Sequence, residues 1–159
     1  MAAPAGDPGG EGPPERRSDA RSRLIDAAPS EVFAAMSDPV RIARWWGPAG
    51  FRNTIHRFEC APGGTWLLTM HGPDGKDYPN ESRFVRVVPG RVFEIEHLSG
   101  HHFVLTIELE AHGTATRVRW RQTFATVEHF ERIAGFVGPA NEQNLDRLAA
   151  EVARGHGAA

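Results

Sequence analysis

The stretch FVLTIELEAHGTATRVRWRQTF, residues 103–124, decides the fold. On both sides of Ala111-His112-Gly113 the chain alternates with period two, the mark of a half-buried strand rather than a helix. Phe103, Leu105, Ile107 and Leu109 share one face of the first run. Val118, Trp120, Gln122 and Phe124 share one face of the second, while Arg117, Arg119 and Arg121 take the other. A short connection containing Gly between two such runs makes an antiparallel hairpin. The sorting of apolar side chains from arginines predicts one buried and one wet face.

Upstream the same period recurs. ESRFVRVV (81–88) and RVFEIEHL (91–98) flank Pro89-Gly90; FRNTIHRFECA (51–61) and TWLLTMHG (65–72) flank a Pro-Gly-Gly turn; HGPDGKDYPN (71–80) reads as a further turn. Before residue 51 the period becomes helical. PSEVFAAMS (29–37) places Val32, Phe33 and Met36 on one side, and Asp38 with Pro39 caps a second short helix that Gly47-Pro48 stops. RSRLIDA (21–27) is a first strand. Downstream, Phe130, Ile133, Val137, Leu145, Leu148 and Val152 recur at near-helical spacing over 127–152, with a kink or brief break expected at Gly138-Pro139. A twisted sheet with one apolar face needs a cover, and this helix supplies it, leaving space for a ligand between the two.

The bounding facts are plain. The chain has 159 residues, a formal net charge of −2 and a single cysteine, Cys60. One domain is expected over 19–154, with no intrachain disulfide, no nucleic acid partner and no membrane span; the expected location is the cytoplasm. Residues 1–18, rich in Pro, Gly and charge, are expected to form a disordered tail, and 155–159 a frayed end.

The pieces APSEVFAAMSDPVRIARWWGP, APGGTWLLTMHGPDGKDYPNE, VVPGRVFEIEH and NEQNLDRLAAEVA resemble the START/Bet v 1-like (SRPBCC) superfamily. Within it they resemble the bacterial branch named after the activator of the 90-kDa heat-shock-protein ATPase. The resemblance implies an α+β helix-grip fold. A curved antiparallel sheet of six to seven strands wraps around a long C-terminal helix, with two short helices after the first strand. It also implies a superfamily of binders, carriers and some cyclases or hydrolases. The namesake's partner contact comes largely from a separate N-terminal domain, where this chain offers only the expected tail. A heat-shock ATPase is therefore not expected as partner; a homodimer is left open.

Parity along the strands nominates the ligand-facing residues. Phe58 places His56 inward on its strand; Trp66, Leu68 and Met70 form the next inward set. Tyr78 and Asn80 share a parity with Phe84, and His97 with Phe93 and Ile95. Trp120 and Gln122 face in from the deciding hairpin, and Val137 and Asn141 from the helix. Trp45 and Trp46 lie about 100° apart on a helix, so one is expected in the core and the other, Trp46, at the mouth, beside a Gly47-Pro48-Ala49-Gly50 lip. The set is mostly apolar with a few placed polar groups, the usual composition of a small-molecule site. It points to binding of a small hydrophobic or amphipathic molecule, with no catalytic residue, no cofactor and no metal assigned. The rival readings are a cyclase, dehydratase or hydrolase in which an inward histidine moves protons, and a co-chaperone-like interaction module.

Overall fold

A computed structural model describes residues 11–157. Seven strands form one antiparallel sheet: β1 (Ser18–Ile25), β2 (Arg52–Phe58), β3 (Thr65–His71), β4 (Asp77–Val88), β5 (Val92–His97), β6 (Phe103–His112) and β7 (Ala115–Phe124), in the order β1-β7-β6-β5-β4-β3-β2. Strands β2 to β7 follow one another as a meander, and β1 returns beside β7, leaving β1 and β2 as edges. Helices α1 (Pro29–Ser37) and α2 (Pro39–Trp45) join β1 to β2, and α3 (Val127–Gly157) closes the chain. This is the helix-grip arrangement with the register the deciding hairpin requires. Ile107 faces Trp120, Leu109 faces Val118, and Val118, Trp120 and Phe124 are buried.

The core lies between the sheet and the helices. Val32 and Met36 of α1, Ile42 of α2, Leu145 and Leu148 of α3, and Trp66, Phe84, Phe93 and Ile107 of the sheet are all fully buried. Each large apolar side chain removed from water contributes about 1.5–3 kcal/mol. The Asp38 carboxylate accepts from the Val40 amide at 2.9 Å, so α2 starts with a capped end and with Pro39 where no donor is needed.

Both chain ends differ from expectation where the structure describes them; residues 158–159 of the expected frayed end lie outside the described residues. Of the tail expected over 1–18, residues 1–10 lie outside the described residues, but 11–17 pack on the domain. Pro14–Arg17 form a 3₁₀ turn. Arg17 is 2% exposed and donates to the Phe124 carbonyl at 2.7 Å and the Gly12 carbonyl at 2.9 Å. Composition counts apolar burial, and this segment is held by hydrogen bonds to the end of β7 instead. At the other end, α3 continues to Gly157 and runs through Pro139 without a break. Val137 and Asn141, on either side of that proline, are buried, and Gly138 faces Arg21 of β1 where a β-carbon would collide with the guanidinium. Packing against β1 and β7 overrides the local cost of proline in a helix.

Candidate functional site

The interior of the grip is an aromatic cluster. Trp46 sits between Trp66, at 4.8 Å between ring centroids, and Trp120, at 6.2 Å. Trp66 stacks on Phe84 at 5.9 Å, and Phe58 stands edge-on to both. Leu68 is buried beside them, and Met70 packs against the cluster nearer the end of β3. Within this apolar wall two indole N–H groups, Nε1 of Trp66 and Nε1 of Trp120, are buried and have no acceptor among the described residues. Trp45 differs: its Nε1 donates to the Ala35 carbonyl at 2.8 Å, pinning α2 to α1. The two tryptophans thus separate as their helical offset demands, Trp45 into the helix–helix core and Trp46 into the grip. At 9% exposure, however, Trp46 is an interior residue rather than one at an open mouth.

The Gly47-Pro48-Ala49-Gly50 stretch is clamped by α3 and is not a free lip. The Arg147 guanidinium donates to five carbonyls: Trp46, Gly47 and Pro48 from Nη1 at 2.8–3.1 Å, and Arg44 and Phe51 from Nη2 at 2.8 and 2.7 Å. Asn144 accepts from the Gly47 amide and donates to the Trp45 carbonyl, and Gln143 accepts from the Ala49 amide. Asn53 of β2 closes the ring by donating to the Ala43 and Trp46 carbonyls, leaving its own Oδ1 buried without a donor. Burial pushes the Arg147 guanidinium below its usual pKa.

Strand parity fails at one nominated residue. His56 lies on the outer face, exposed, with Nε2 on the Thr69 hydroxyl at 2.8 Å. A β-bulge between Ile55 and Arg57 is the cause: Ile55 pairs with Leu68 and Phe58 with Trp66, and His56 is the extra residue between them. Inward parity therefore runs through Asn53 and Ile55 before the bulge and Phe58 after it. Tyr78 and Asn80 have the inward parity, paired with Met70 and Leu68, but the hairpin reaches beyond the cover of the helix. Tyr78 is 40% exposed and donates to Asp74 at 2.9 Å, and Asn80 donates to the Tyr78 carbonyl.

His97 is inside, stacked on Phe103 at 4.5 Å and 7°. Burial drops its pKa to about 4, helped by the neighbouring His101, so it is neutral near pH 7. Gln122 and Asn141 meet each other: Asn141 donates to Gln122 at 3.1 Å and to Asp19 at 3.0 Å, at the seam of α3 with β1 and β7. Val137 is buried on the same helix one turn earlier. The acid–base set of His56, His97 and Tyr78 is thus not assembled in one place. Among the described residues no group of three or more His, Cys, Asp or Glu is placed to hold a metal.

A family model described as "Activator of Hsp90 ATPase homolog 1-like protein" matches residues 26–153. The chain belongs to this family. Its AHSA1-like domain superposes on a solved protein from Arthrobacter aurescens with a TM-score of 0.81 at 22% identity, covering 93% of this chain and 92% of that one. A protein from Nitrosomonas europaea gives 0.80 at 14% identity, with 89% and 97% covered. The AHSA1 protein from Silicibacter pomeroyi gives 0.70 at 22% identity, with 87% and 99% covered. At these identities the likeness is one of fold. A search of curated proteins finds no match. Among the described residues no helix is long and apolar enough to cross a membrane.

Several residues of the AHSA1-like domain escape a search by strand parity. Asn144, Arg147 and Glu151 form a polar stripe beside the apolar Leu145, Leu148 and Val152. That i, i+3, i+7 spacing was readable as a second face of α3 turned toward protein rather than water. On the outer face of the sheet, Glu94 is fully buried, bound by Arg86 through both oxygens and by the Thr106 hydroxyl. Glu96 is held by Arg83 on one oxygen and by His102 on the other.

Proposed function

We propose that the protein binds a small hydrophobic or amphipathic molecule between the sheet and α3, with the aromatic surfaces of Trp46, Trp66 and Phe58 around its apolar body. One observation carries this reading: two indole donors, on Trp66 and Trp120, are buried in a mostly apolar interior with no acceptor among the described residues. A buried donor left unpaired costs about 1–3 kcal/mol, and a ligand carbonyl or ether oxygen that reaches either indole N–H recovers that cost for it. The fold supports the reading, because a curved sheet closed by one helix gives an enclosed, mostly apolar surface with few polar groups.

Native mass spectrometry of freshly purified protein tests for a co-purifying molecule, and a titration tests the site. With 2-octanone as probe, tryptophan emission shifts on binding. Trp66→Phe and Trp120→Phe each weaken the ketone by about fivefold to tenfold while leaving the protein folded, because each removes the donor and keeps an aromatic ring in place. If neither the ketone nor any co-purified molecule binds, or if both variants bind as tightly as the parent, the reading fails.

A further inference from the structure

A second concave surface lies outside the aromatic interior, between α2, the start of β2 and the last turns of α3. It is a groove of about 740 Å³. Ala43, Trp45 and Ala150 give it an apolar wall, and four arginines, Arg44, Arg52, Arg147 and Arg154, line it against a single carboxylate, Glu151. In a chain with a net charge of −2, that concentration of one sign is local.

The four arginines are not equivalent. Arg44 is spent on Glu151 at 3.0 Å, as is Arg41 behind it, so that carboxylate is neutralised within its own cluster. Arg147 uses both terminal nitrogens on backbone carbonyls and meets no carboxylate; it contributes charge rather than free donors. Arg52 and Arg154 have no ion pair and no side-chain hydrogen bond among the described residues. His71, also on the wall, is held by Asp77 and Thr54 at 2.7 Å each. The groove therefore combines an apolar wall, a fixed half-buried cation and two unspent guanidinium groups among its lining residues.

We infer that this groove is a binding site for a small organic anion, a carboxylate or phosphate head on an apolar body, with Arg52 and Arg154 as the residues that take the head. Guanidinium forks match both head groups in geometry. The apolar wall at Ala43 and Ala150 accepts the body, and Arg147 lowers the electrostatic cost of bringing negative charge to the groove. This site is separate from the donor pair in the grip, and its ligand is charged where the interior calls for a neutral acceptor.

The test compares octanoate with 2-octanone by calorimetry on the full chain, with inorganic phosphate as competitor. Octanoate binds, phosphate displaces it, and raising the salt from low to physiological strength weakens it severalfold. The double variant R52Q/R154Q loses octanoate by about tenfold and keeps its thermal midpoint and its 2-octanone binding, because both side chains are exposed and unpaired. Conversely, Trp66→Phe and Trp120→Phe leave octanoate binding intact, so the failure of one site is distinguishable from the failure of the other. No binding of octanoate or phosphate, or octanoate binding unchanged in R52Q/R154Q, overturns the inference.

Discussion

From Asn141 to Val152 helix α3 is held by buried apolar side chains and by ion pairs, whereas from Val127 to Phe136 the same helix is held mainly by ring contacts of His129 and Phe130 with Phe124 and His101. In the later half Leu145, Leu148 and Val152 are buried, Arg147 is locked into five carbonyls and Glu151 bridges two arginines of α2. In the earlier half Phe130 and Ile133 are only half-buried and Phe136 stands 71% exposed. The difference teaches that the grip closes at one end. The C-terminal turns bury more apolar surface, and the N-terminal turns, beside the histidine-lined end of the sheet, bury less.

The largest expected effect is in the tight half. Leu148→Ala, at a fully buried position, costs about 2–5 kcal/mol, read as a shift of the denaturation midpoint at constant slope. An equal loss from Ile133→Ala would erase the distinction between the halves.

Acid sharpens the comparison from the other end. His97 has its folded pKa lowered to about 4, against an ordinary 6.5, by burial and by His101. The neutral ring is the form the fold favours, so the stability it contributes is complete above pH 6.5 and is lost as pH falls from there toward 4. The size is about 3 kcal/mol. His101, depressed by burial and by His129 of the loose half, acts in the same direction; the rings of His101 and His129 lie 5.3 Å apart. Midpoints measured across this window should fall in the parent and much less in His97→Phe. A parent midpoint flat from pH 6.5 to 4.5 contradicts the placement of His97.

Arg147→Met leaves five carbonyls without their donor and should cost about 2–3 kcal/mol. Because Lys has no planar fork, Arg147→Lys should recover only part of that loss. Full recovery by Lys would show that charge rather than geometry holds the loop.

The smallest effects lie in the loose half. Gly135→Ala, where a β-carbon meets nothing within 4 Å, should stabilise the protein by about 0.5–1 kcal/mol. Phe136→Ser should stay within about 0.5 kcal/mol of the parent, and a larger loss from it would mean that this ring is covered in solution.

What could be read from the chain follows the physics of each feature. The sheet, its hairpin register and the cover helix follow from side-chain period, so Val118, Trp120, Leu145 and Leu148 were placed from sequence. His56 was misplaced because a bulge shifts parity by one without changing composition. Tyr78 and Asn80 have the right face but the wrong depth, since parity says nothing about where the helix stops covering the sheet. The embrace of the loop by Arg147 left no trace in hydrophobic pattern because its partners are backbone carbonyls, which every sequence has. Arg17 was read as tail for the same reason.

The five-carbonyl contact of Arg147 also has a consequence for motion. The turn from Arg44 to Phe51 and the helical segment around Arg147 cannot separate without exposing several backbone acceptors at once, so they form a single cooperative unit for local opening. Amide exchange in the two segments should then report one shared protection factor, although nearly a hundred residues of chain lie between Phe51 and Arg147.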